Sequence, residues 1–467
     1  MLAFRPEAQE TWDDALSKLH KYITGELKNV VIDKTKFYGI EDTAEAIAWI
    51  TAALKSDSTH VAVDTETTGL YPRDGYILGI SLSVDNDHGV YISTDCIDDE
   101  ATDLLQTLFI EKNVIMHNAK FDLAMLEYHF NFEFPTIDDT MLMSYMLNEV
   151  PGNHGLKGLA IKHTPYGDYE KPMYDFIDDY CRRNGMLKGD FTWDMIPFDL
   201  MQVYAAMDAC VTYRIYQVFR EELDKDPQIR RVYKNLLIPA MRFLKEAQDA
   251  GVPFDRKRLE VSQNIMEADI AEATNRLYEF PEVRSFEDFQ DKGFNPNSTL
   301  QLRKLLFDFI GLKPTGKKTG TGAHSTDAEV LQQLGEKHEV PQLILQIRQK
   351  GKIKNTYLDK IIPQLDRDSR LRTNFNLHGT TSGRLSSSGK LNMQQIPRDN
   401  PIVKGCIKAR EGHRIVAMDL TTAEVYVAAV LARDEKLQDV FRQGGNFHST
   451  IAKVVFRLPC EVEDVAE

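Results

Sequence analysis

The chain has 467 residues and a formal net charge of −15, and it is 42% hydrophobic and 27% charged. This composition is typical of a globular protein with about three structural units. The sequence has no run of about 18 apolar residues and no basic, apolar N-terminal segment, so it predicts neither a membrane span nor a secretory signal. The five cysteines form no C-x-x-C pair, which favours inert thiols in a cytoplasmic protein over a zinc site or disulfides.

Charge is distributed unevenly along the chain. The acidic total excludes a protein that binds nucleic acid over its whole surface. Residues 341–420, however, contain 15 Lys and Arg against 6 Asp and Glu, so this segment is a candidate surface for phosphate contacts. A solvated helix face explains the same excess equally well.

The first half of the chain alternates between two kinds of predicted element. Residues 1–40 read as a polar leader without an assigned function. Strands are predicted at 60–70, 76–84, 88–94 and 114–119, and helices at 41–58, 101–113, 120–130, 138–147, 154–163 and 197–223. The polar stretch 164–195 is predicted to be a loop. This alternation predicts an α/β domain that ends near residue 225.

The second half reads differently. Residues 226–365 are predicted to be mostly helical, with one helix ending at Gly251 and a long one following it. A Gly- and Lys-rich loop is predicted at 313–324. After residue 370, the segments LRTNFNLH and RIVAMDL read as strands, with a turn-rich segment between them.

Four acidic residues are candidates for metal binding. Asp64 and Glu66 are two apart on a predicted strand, so both carboxylates project from the same face. Asp122 lies four residues after Asn118 at the start of a helix. Asp208 lies in an apolar helix, where a carboxylate needs a partner or a cation. Hard oxygen ligands of this kind suit Mg²⁺ or Mn²⁺.

The ordered set resembles the 3′→5′ exonucleases of the DEDD type, in the subclass that has a tyrosine. The resemblance covers residues 41–225 and includes Asp139-Thr140 and the H-x-L-K-x-L-A pattern that begins at His154. It implies an α/β exonuclease domain with an RNase H-like mixed sheet flanked by helices.

The same resemblance implies a role for each candidate residue. Asp64, Glu66 and Asp208 would hold one Mg²⁺ or Mn²⁺ ion, and Asp122 would help to place a second. The two ions would clamp the attacking and leaving oxygens during hydrolysis of the terminal phosphodiester. The remaining assignments are Tyr204 for orienting the attacking water, and Leu70 and Asn118 for positioning the 3′-terminal nucleotide.

A second resemblance begins after the helical region. Residues 378–397, HGTTSGRLSSSGKLNMQQIP, resemble the T-x-T-G-R-L-S-S…P-N-L-Q-N-I-P signature of family A DNA polymerases. It implies phosphate and sugar contacts by Arg384, Ser386 and Ser387 along a duplex. Gln394 and Gln395 would bond minor-groove acceptors that all base pairs share.

The segment RIVAMDLTTAEV is similar to the first palm motif of that family. Asp419 takes the position of a metal ligand, and Glu424 takes that of the acid that excludes ribonucleotides. Upstream, residues 347–361 resemble the thumb helix that holds the primer–template. The residues carried over there are Arg348, Lys350, Lys352, Lys354 and Tyr357.

The resemblances imply a division into a leader (1–40), an exonuclease domain (41–225), a mostly helical thumb-like region (226–370) and an incomplete palm (371–467). The fingers helix and the second palm aspartate are not found, although nucleotidyl transfer needs both palm acids. The interpretation is therefore an N-terminal fragment or subunit of a replicative DNA polymerase with proofreading activity. No 5′-nuclease region precedes the exonuclease domain, which favours a phage-like enzyme acting in the host cytoplasm.

The implied partners are primer–template DNA, a single-stranded 3′ end and a second polypeptide carrying the remaining fingers and palm. When the palm is completed, dNTP and Mg²⁺ would bind there. One alternative is a stand-alone exonuclease with a DNA clamp, and Asp419 and Glu424 argue against it. The other is a non-catalytic DNA-binding subunit, which has no reason to gather four acids.

Overall fold

The structure is a computed structural model, and the chain divides into two compact units, Met1–Ile407 and Lys408–Glu467. The structure describes residues 33–467 apart from 291–292, 390, 397–399, 421, 443–445 and 466–467. It also describes positions 12, 16 and 20. Most of the predicted leader therefore lies outside the described residues. No helix in the described part of the chain is long and apolar enough to cross a membrane.

A six-stranded mixed sheet forms the core of the first unit, in the order β1-β4-β3-β2-β5-β6. Its strands are β1 (Phe37–Ile40), β2 (His60–Thr67), β3 (Ile77–Ser83), β4 (Gly89–Ser93), β5 (Asn113–Met116) and β6 (Ile137–Asp139). β2 lies between β3, to which it is antiparallel, and β5, to which it is parallel. Val61, Ala62 and Val63 are fully buried, so both faces of the sheet are covered.

Helices flank this sheet, which confirms the predicted fold class of the domain. They are α1 (Thr43–Lys55), α2 (Asp99–Glu111), α3 (Ala119–Phe130), α4 (Thr140–Leu147), α5 (Leu156–His163), α6 (Lys171–Asn184) and α7 (Phe198–Asp224). The side chain of Asp42 caps α1 by accepting the N–H of Glu45 at 2.9 Å. α7 packs against β1 to β4.

Two segments of this domain differ from the sequence prediction. The loop predicted at 164–195 is wrong, because this stretch contains α6. Met173, Ile177 and Cys181 line the buried side of α6 at intervals of four, an amphipathic helical pattern that the reading of this stretch as loop overlooked. β1 lies within the predicted leader, where it pairs in parallel with β4.

After residue 226 the first unit is mostly helical, as predicted. The helices are α8 (Pro227–Val232), α9 (Ile238–Ala250), α10 (Arg256–Leu277), α11 (Pro281–Asp288), α12 (Thr299–Arg303), α13 (Ala328–Gly335), α14 (Glu339–Lys352), α15 (Asp359–Gln364) and α16 (Pro401–Lys404). π-helical segments continue them at Tyr233–Leu237, Lys304–Phe309 and Ile353–Leu358. The predicted helix end at Gly251 is confirmed, and the glycine adopts a φ of 60° there.

Two short strand pairs complete the first unit, β7 (Val252–Pro253) with β8 (Arg370–Leu371) and β9 (Asn374–Asn376) with β10 (Ser386–Ser388). The β9–β10 hairpin is tied to the sheet domain. Lys120 of α3 donates hydrogen bonds to the side chain of Asn374 and the carbonyl of Phe375. Tyr145 of α4 donates its hydroxyl to the carbonyl of Thr380 at 2.8 Å.

The second unit contains α17 (Ala423–Leu431), α18 (Glu435–Arg442) and α19 (Phe447–Phe456). The strand predicted for RIVAMDL is wrong, because residues 414–420 are irregular. A strand needs a neighbour that pairs with its backbone N–H and C=O groups, and the described residues of this unit offer none. The apolar side chains of this segment are consequently exposed, including Met418 at 92%.

Candidate functional site

Three carboxylates converge at the centre of the sheet domain. Oxygen atoms of Asp64, Glu66 and Asp208 lie within 4.8 Å of one another, close enough to share one metal ion. Asp64 and Glu66 project from one face of β2 because strand side chains alternate. Asp208 reaches them from α7. The structure therefore brings together three of the four acids that were predicted from the sequence to bind metal.

Asp122, the fourth predicted acid, lies beside the same strand. Thr65 donates its backbone N–H at 3.0 Å and its hydroxyl at 2.7 Å to Asp122 Oδ1. Thr65 stands between Asp64 and Glu66 in the chain, so these bonds hold Asp122 next to the other acids. Its side chain is almost completely buried.

A further carboxylate fixes the turn that precedes Asp122. Asn118 adopts a φ of 64°, a left-handed conformation that few residues other than glycine accept. Asp139 stabilises it by accepting the N–H groups of Asn118 at 3.2 Å and Ala119 at 2.9 Å. In the sequence, Asp139 was recognised only as part of a motif. The structure shows that it supports the turn at Asn118.

Burial and neighbouring carboxylates raise the pKa of Asp64, Glu66 and Asp122. Burial, reinforced by Asp208, raises the pKa of Glu66 to about 8. Burial raises the pKa of Asp122 to about 7, although the hydrogen bonds from Thr65 oppose the shift. The pKa of Asp64 is raised well above its usual value by burial and by the neighbouring carboxylates. A divalent cation relieves both effects, and carboxylate oxygens are ligands that Mg²⁺ and Mn²⁺ prefer, so this donor set fits such ions.

Two side chains that were not predicted as site residues also reach the cluster. Lys157 of α5 forms an ion pair with Asp208, and Tyr169 donates its hydroxyl to the same carboxylate oxygen. The sequence signal for Lys157 was its position as a charged residue within a largely apolar pattern. Tyr169 gave no signal, because the turn that carries it was read as part of a long loop.

Tyr204 lies one helical turn before Asp208, as the spacing predicts. Burial, together with Asp208, Glu66 and Asp64, raises its pKa well above the usual value. The side chain therefore stays a neutral hydroxyl and can donate a hydrogen bond over the whole physiological pH range.

Aromatic residues form a wall next to Tyr204. The ring of Trp193 lies 5.8 Å from that of Tyr204, centroid to centroid. Trp193 also lines an open cavity of about 570 Å³, together with Tyr76 and Tyr91. Leu70 follows β2 and is 77% exposed. Trp193 was missed in the sequence because it lies in the stretch that was read as loop.

The basic residues predicted on the thumb-like helix have different surroundings. Arg348 donates hydrogen bonds to two backbone carbonyls of its own region, at 2.8 and 2.9 Å. Lys354 pairs with Asp359 at 3.1 Å. Lys352 is exposed. Lys352 is therefore the member of this set with the greatest access to a ligand.

The residues predicted to contact a duplex lie close together on and after the β9–β10 hairpin. Arg384 is exposed in the turn before β10, and Ser386 and Ser387 belong to β10 itself. Gln394 and Gln395 follow in a short 3-10 turn and are exposed. The side chain of Gln394 donates a hydrogen bond to the backbone of the hairpin at 3.2 Å.

The predicted palm acids lie in the second unit. Asp419 is exposed in the irregular segment, and Glu424 is exposed in the first turn of α17. Within the described part of the chain, neither belongs to a group of three or more side chains that could hold a metal ion.

Comparisons with known proteins match both halves of the chain. A family model described as 3′-5′ exonuclease matches residues 37–224, and one described as DNA polymerase family A matches residues 257–466. The first range coincides with the sheet domain. The second covers most of the helical region together with the second unit.

Related sequences extend along nearly the whole chain. The DNA polymerase of Escherichia phage T5 is 43% identical, over 99% of this chain and 56% of that protein. DNA polymerase I of Pseudomonas aeruginosa is 27% identical, over 94% of this chain and 47% of that protein. The chain thus spans about half the length of the curated relatives it matches.

The fold is also similar to a solved structure, the POL domain of Pol1 from M. smegmatis in complex with DNA primer-template and dNTP. The TM-score is 0.71 at 23% sequence identity, and the similarity covers 92% of this chain and 68% of the other.

Proposed function

The chain belongs to DNA polymerase family A and carries a 3′-5′ exonuclease domain, and from this premise we propose that it removes nucleotides from DNA 3′ ends with two divalent cations. The observation that carries the proposal is the convergence of Asp64, Glu66 and Asp208 within 4.8 Å. A buried group of acids is costly for a fold unless cations neutralise it, so a purely structural role explains the cluster poorly.

In this proposal, Asp64, Glu66 and Asp208 hold one Mg²⁺ or Mn²⁺ ion, and Asp122 helps to hold the second. Such a pair, when bound, activates a water molecule and stabilises the leaving oxygen of the phosphodiester. Tyr204 orients the attacking water through its hydroxyl, which its raised pKa keeps protonated.

The 3′-terminal nucleotide is proposed to be held by Leu70, Trp193 and Asn118. The exposed side chain of Leu70 and the ring of Trp193 offer apolar and aromatic surfaces to a base. Stacking of a base on an aromatic ring contributes about 1–3 kcal/mol and tolerates every base, as removal of any mispaired nucleotide requires. Asn118 lies four residues before Asp122, in a left-handed turn in which Asp139 accepts its backbone N–H.

The remainder of the chain is proposed to hold primer–template DNA for synthesis. The segment 341–420 has an excess of positive charge, 15 Lys and Arg against 6 Asp and Glu. Phosphate contacts of this kind position a duplex without reading its sequence. The groups offered are the side chains of Lys352, Lys354, Arg348, Arg384, Ser386, Ser387, Gln394 and Gln395. Asp419 would bind Mg²⁺ and Glu424 would face the sugar of a dNTP once the palm is complete.

A second polypeptide that contributes palm and fingers residues is proposed, because nucleotidyl transfer needs two palm aspartates and, among the described residues, Asp419 belongs to no group of three or more possible metal ligands. The apolar side chains of the segment 414–420 support this proposal. Val416, Met418 and Leu420 are 77%, 92% and 82% exposed, and exposed apolar surface of this kind marks an interaction site. The segment 414–420 would then become a strand by pairing with a sheet that the partner supplies.

The exonuclease proposal is tested with a single-stranded DNA that carries a 5′ label. Purified chain with Mg²⁺ is expected to produce a ladder that shortens from the 3′ end. EDTA should abolish the ladder, and so should combined replacement of Asp64 and Glu66 by alanine. A folded wild-type chain that leaves the DNA intact with Mg²⁺ and with Mn²⁺ contradicts the proposal.

The polymerase proposal is tested by adding dNTPs to a primer–template. The chain alone is expected to degrade the primer, and extension is expected only after addition of a polypeptide that contains the remaining palm and fingers. Efficient extension by the chain alone contradicts the need for a partner. Continued degradation in the presence of a binding partner favours the stand-alone exonuclease instead.

A further inference from the structure

Lys157 places a positive charge at the centre of the acid cluster. Its ammonium pairs with Asp208 and lies 3.1 Å from the hydroxyl oxygen of Tyr169. The side chain of Asp208 is 7% exposed, whereas that of Lys157 is 23% exposed. The lysine therefore reaches the buried acids from the side that is open to solvent, where a substrate must enter.

Aromatic rings hold the ammonium independently of Asp208. Lys157 Nζ lies 4.2 Å from the centre of the Tyr204 ring and 4.6 Å from that of the Tyr169 ring. A cation within about 6 Å of a ring face is attracted to it. Lys157 can therefore release the carboxylate and remain in the site, next to the tyrosine that is proposed to orient the water.

The carboxylate that Lys157 contacts is one of the three that converge for metal binding. A divalent cation on Asp208 competes with the ammonium for the same carboxylate. Because two divalent cations neutralise four ionised carboxylates, Lys157 leaves the loaded site with one net positive charge. That charge complements the single negative charge of a phosphodiester.

We propose that Lys157 is a phosphate-binding residue of the exonuclease site. Its ammonium rests on Asp208 before cations bind, and it passes to a non-bridging oxygen of the scissile phosphate when the carboxylates take up cations. The inference rests on the proposed exonuclease function and adds a substrate contact to it. The competing explanation is that Lys157 only supports Asp208, in which case its loss weakens cation binding.

Two uncleavable substrates separate these explanations. Both are single-stranded oligonucleotides, with either a charged methylene phosphonate (bridging oxygen replaced) or a neutral methylphosphonate as the 3′-terminal linkage. Their affinities for the full chain are measured by fluorescence anisotropy with Mg²⁺. In Lys157→Met, the preference for the charged linkage is expected to fall roughly 10- to 100-fold, because a hydrogen bond between charged groups is lost. Lys157→Arg is expected to retain most of the preference.

Mn²⁺ binding without DNA supplies the second readout. Lys157→Met is expected to bind Mn²⁺ at least as tightly as the wild type, because a competing cation has been removed. Lys162→Met is the matched control, since Lys162 is an exposed lysine of the same helix, and it should change neither measurement. Thermal unfolding in EDTA establishes that each variant is folded.

An unchanged linkage preference in folded Lys157→Met overturns the inference, and so does a loss of Mn²⁺ affinity that accounts for the weaker DNA binding. Failure of the underlying function looks different. In that case the wild type itself neither binds Mn²⁺ at Asp64 nor shortens labelled DNA. If the wild type digests DNA but the Lys157→Met variant keeps the wild-type linkage preference, only the proposed phosphate contact is rejected.

Discussion

Asp64 and Asp419 each end a similar, otherwise apolar segment, VAVD and IVAMD, but the surroundings of the two acids differ. The first segment is β2, which pairs with β3 and β5 and is buried in the sheet domain. The second is irregular, and its side chain Met418 is 92% exposed. Pairing on both edges places Asp64 where other elements bring further acids to it. The comparison teaches that an acid motif becomes a metal site only when neighbouring strands and helices supply the other ligands.

The largest expected difference between the two regions concerns exonuclease activity. Replacing Asp64 and Glu66 with alanine removes ligands on which the cations depend, so the rate should fall roughly a thousandfold or more. Asp419→Ala should leave the rate within about twofold, because Asp419 is not one of the three carboxylates that converge for metal binding. Degradation of 5′-labelled single-stranded DNA measures both, with the exposed Asp103→Ala as control. A large loss of exonuclease rate in Asp419→Ala contradicts the expected difference between the two regions.

The next largest effect concerns packing. Leu82 in β3 is fully buried, whereas Leu420 is 82% exposed. Leu82→Ala is expected to cost about 2–5 kcal/mol of the free energy of unfolding of the sheet domain, because it removes buried apolar contacts and leaves a cavity. Leu420→Ala should change stability by no more than about 0.5 kcal/mol. Chemical denaturation measures the free energy of unfolding of the two variants. Equal losses of stability in Leu82→Ala and Leu420→Ala would show that the segment 414–420 is packed.

Lys120 connects the sheet domain to the β9–β10 hairpin. Its ammonium donates to Gln248 at 2.7 Å and to Asn374 and Phe375, and burial lowers its pKa to about 8. Lys120→Met removes a donor from these acceptors, which is expected to cost about 1–3 kcal/mol. Hydrogen exchange should show faster opening at 374–388 in this variant. Unchanged protection of the hairpin argues that Lys120 is not its tether.

A further expected effect is a pH dependence that cations should remove. The pKa of Glu66 is raised from 4.5 to about 8 in the folded chain. Because the folded pKa is the higher one, the stability gained from the bound proton is present below about 4.5 and is lost as the pH rises to about 8. Thermal stability in EDTA should therefore decrease over this range, and less so in Glu66→Gln. Saturating Mn²⁺ should abolish the decrease, and a decrease that persists in Mn²⁺ contradicts this cause.

The sequence predicts the regions whose signals are local. Alternation places Asp64 and Glu66 on one face of a strand, and the spacing of Tyr204 and Asp208 places both on one turn of α7. Long-range contacts carry no such signal. The bond from Thr65 to Asp122 spans 57 residues, and the ion pair of Lys157 with Asp208 spans 51. Neither partner could be chosen before the chain was folded.

The two errors have different origins. α6 was missed although Met173, Ile177 and Cys181 recur at helical spacing, because the polar composition of 164–195 was read as loop. The strand predicted at 414–420 carries an apolar run, but a strand forms only when a neighbour satisfies its backbone groups. Local pattern is therefore insufficient for an element whose pairing partner is not supplied.

The central claim is that Asp64, Glu66 and Asp208 bind a divalent cation, and anomalous X-ray scattering tests it most directly. Crystals of the chain would be soaked in Mn²⁺, and data would be collected at the manganese absorption edge. The account predicts an anomalous peak bound to carboxylate oxygens of all three residues, at roughly 2.2 Å. Full occupancy of other sites, with no peak at these three carboxylates in a well-ordered sheet domain, would contradict it.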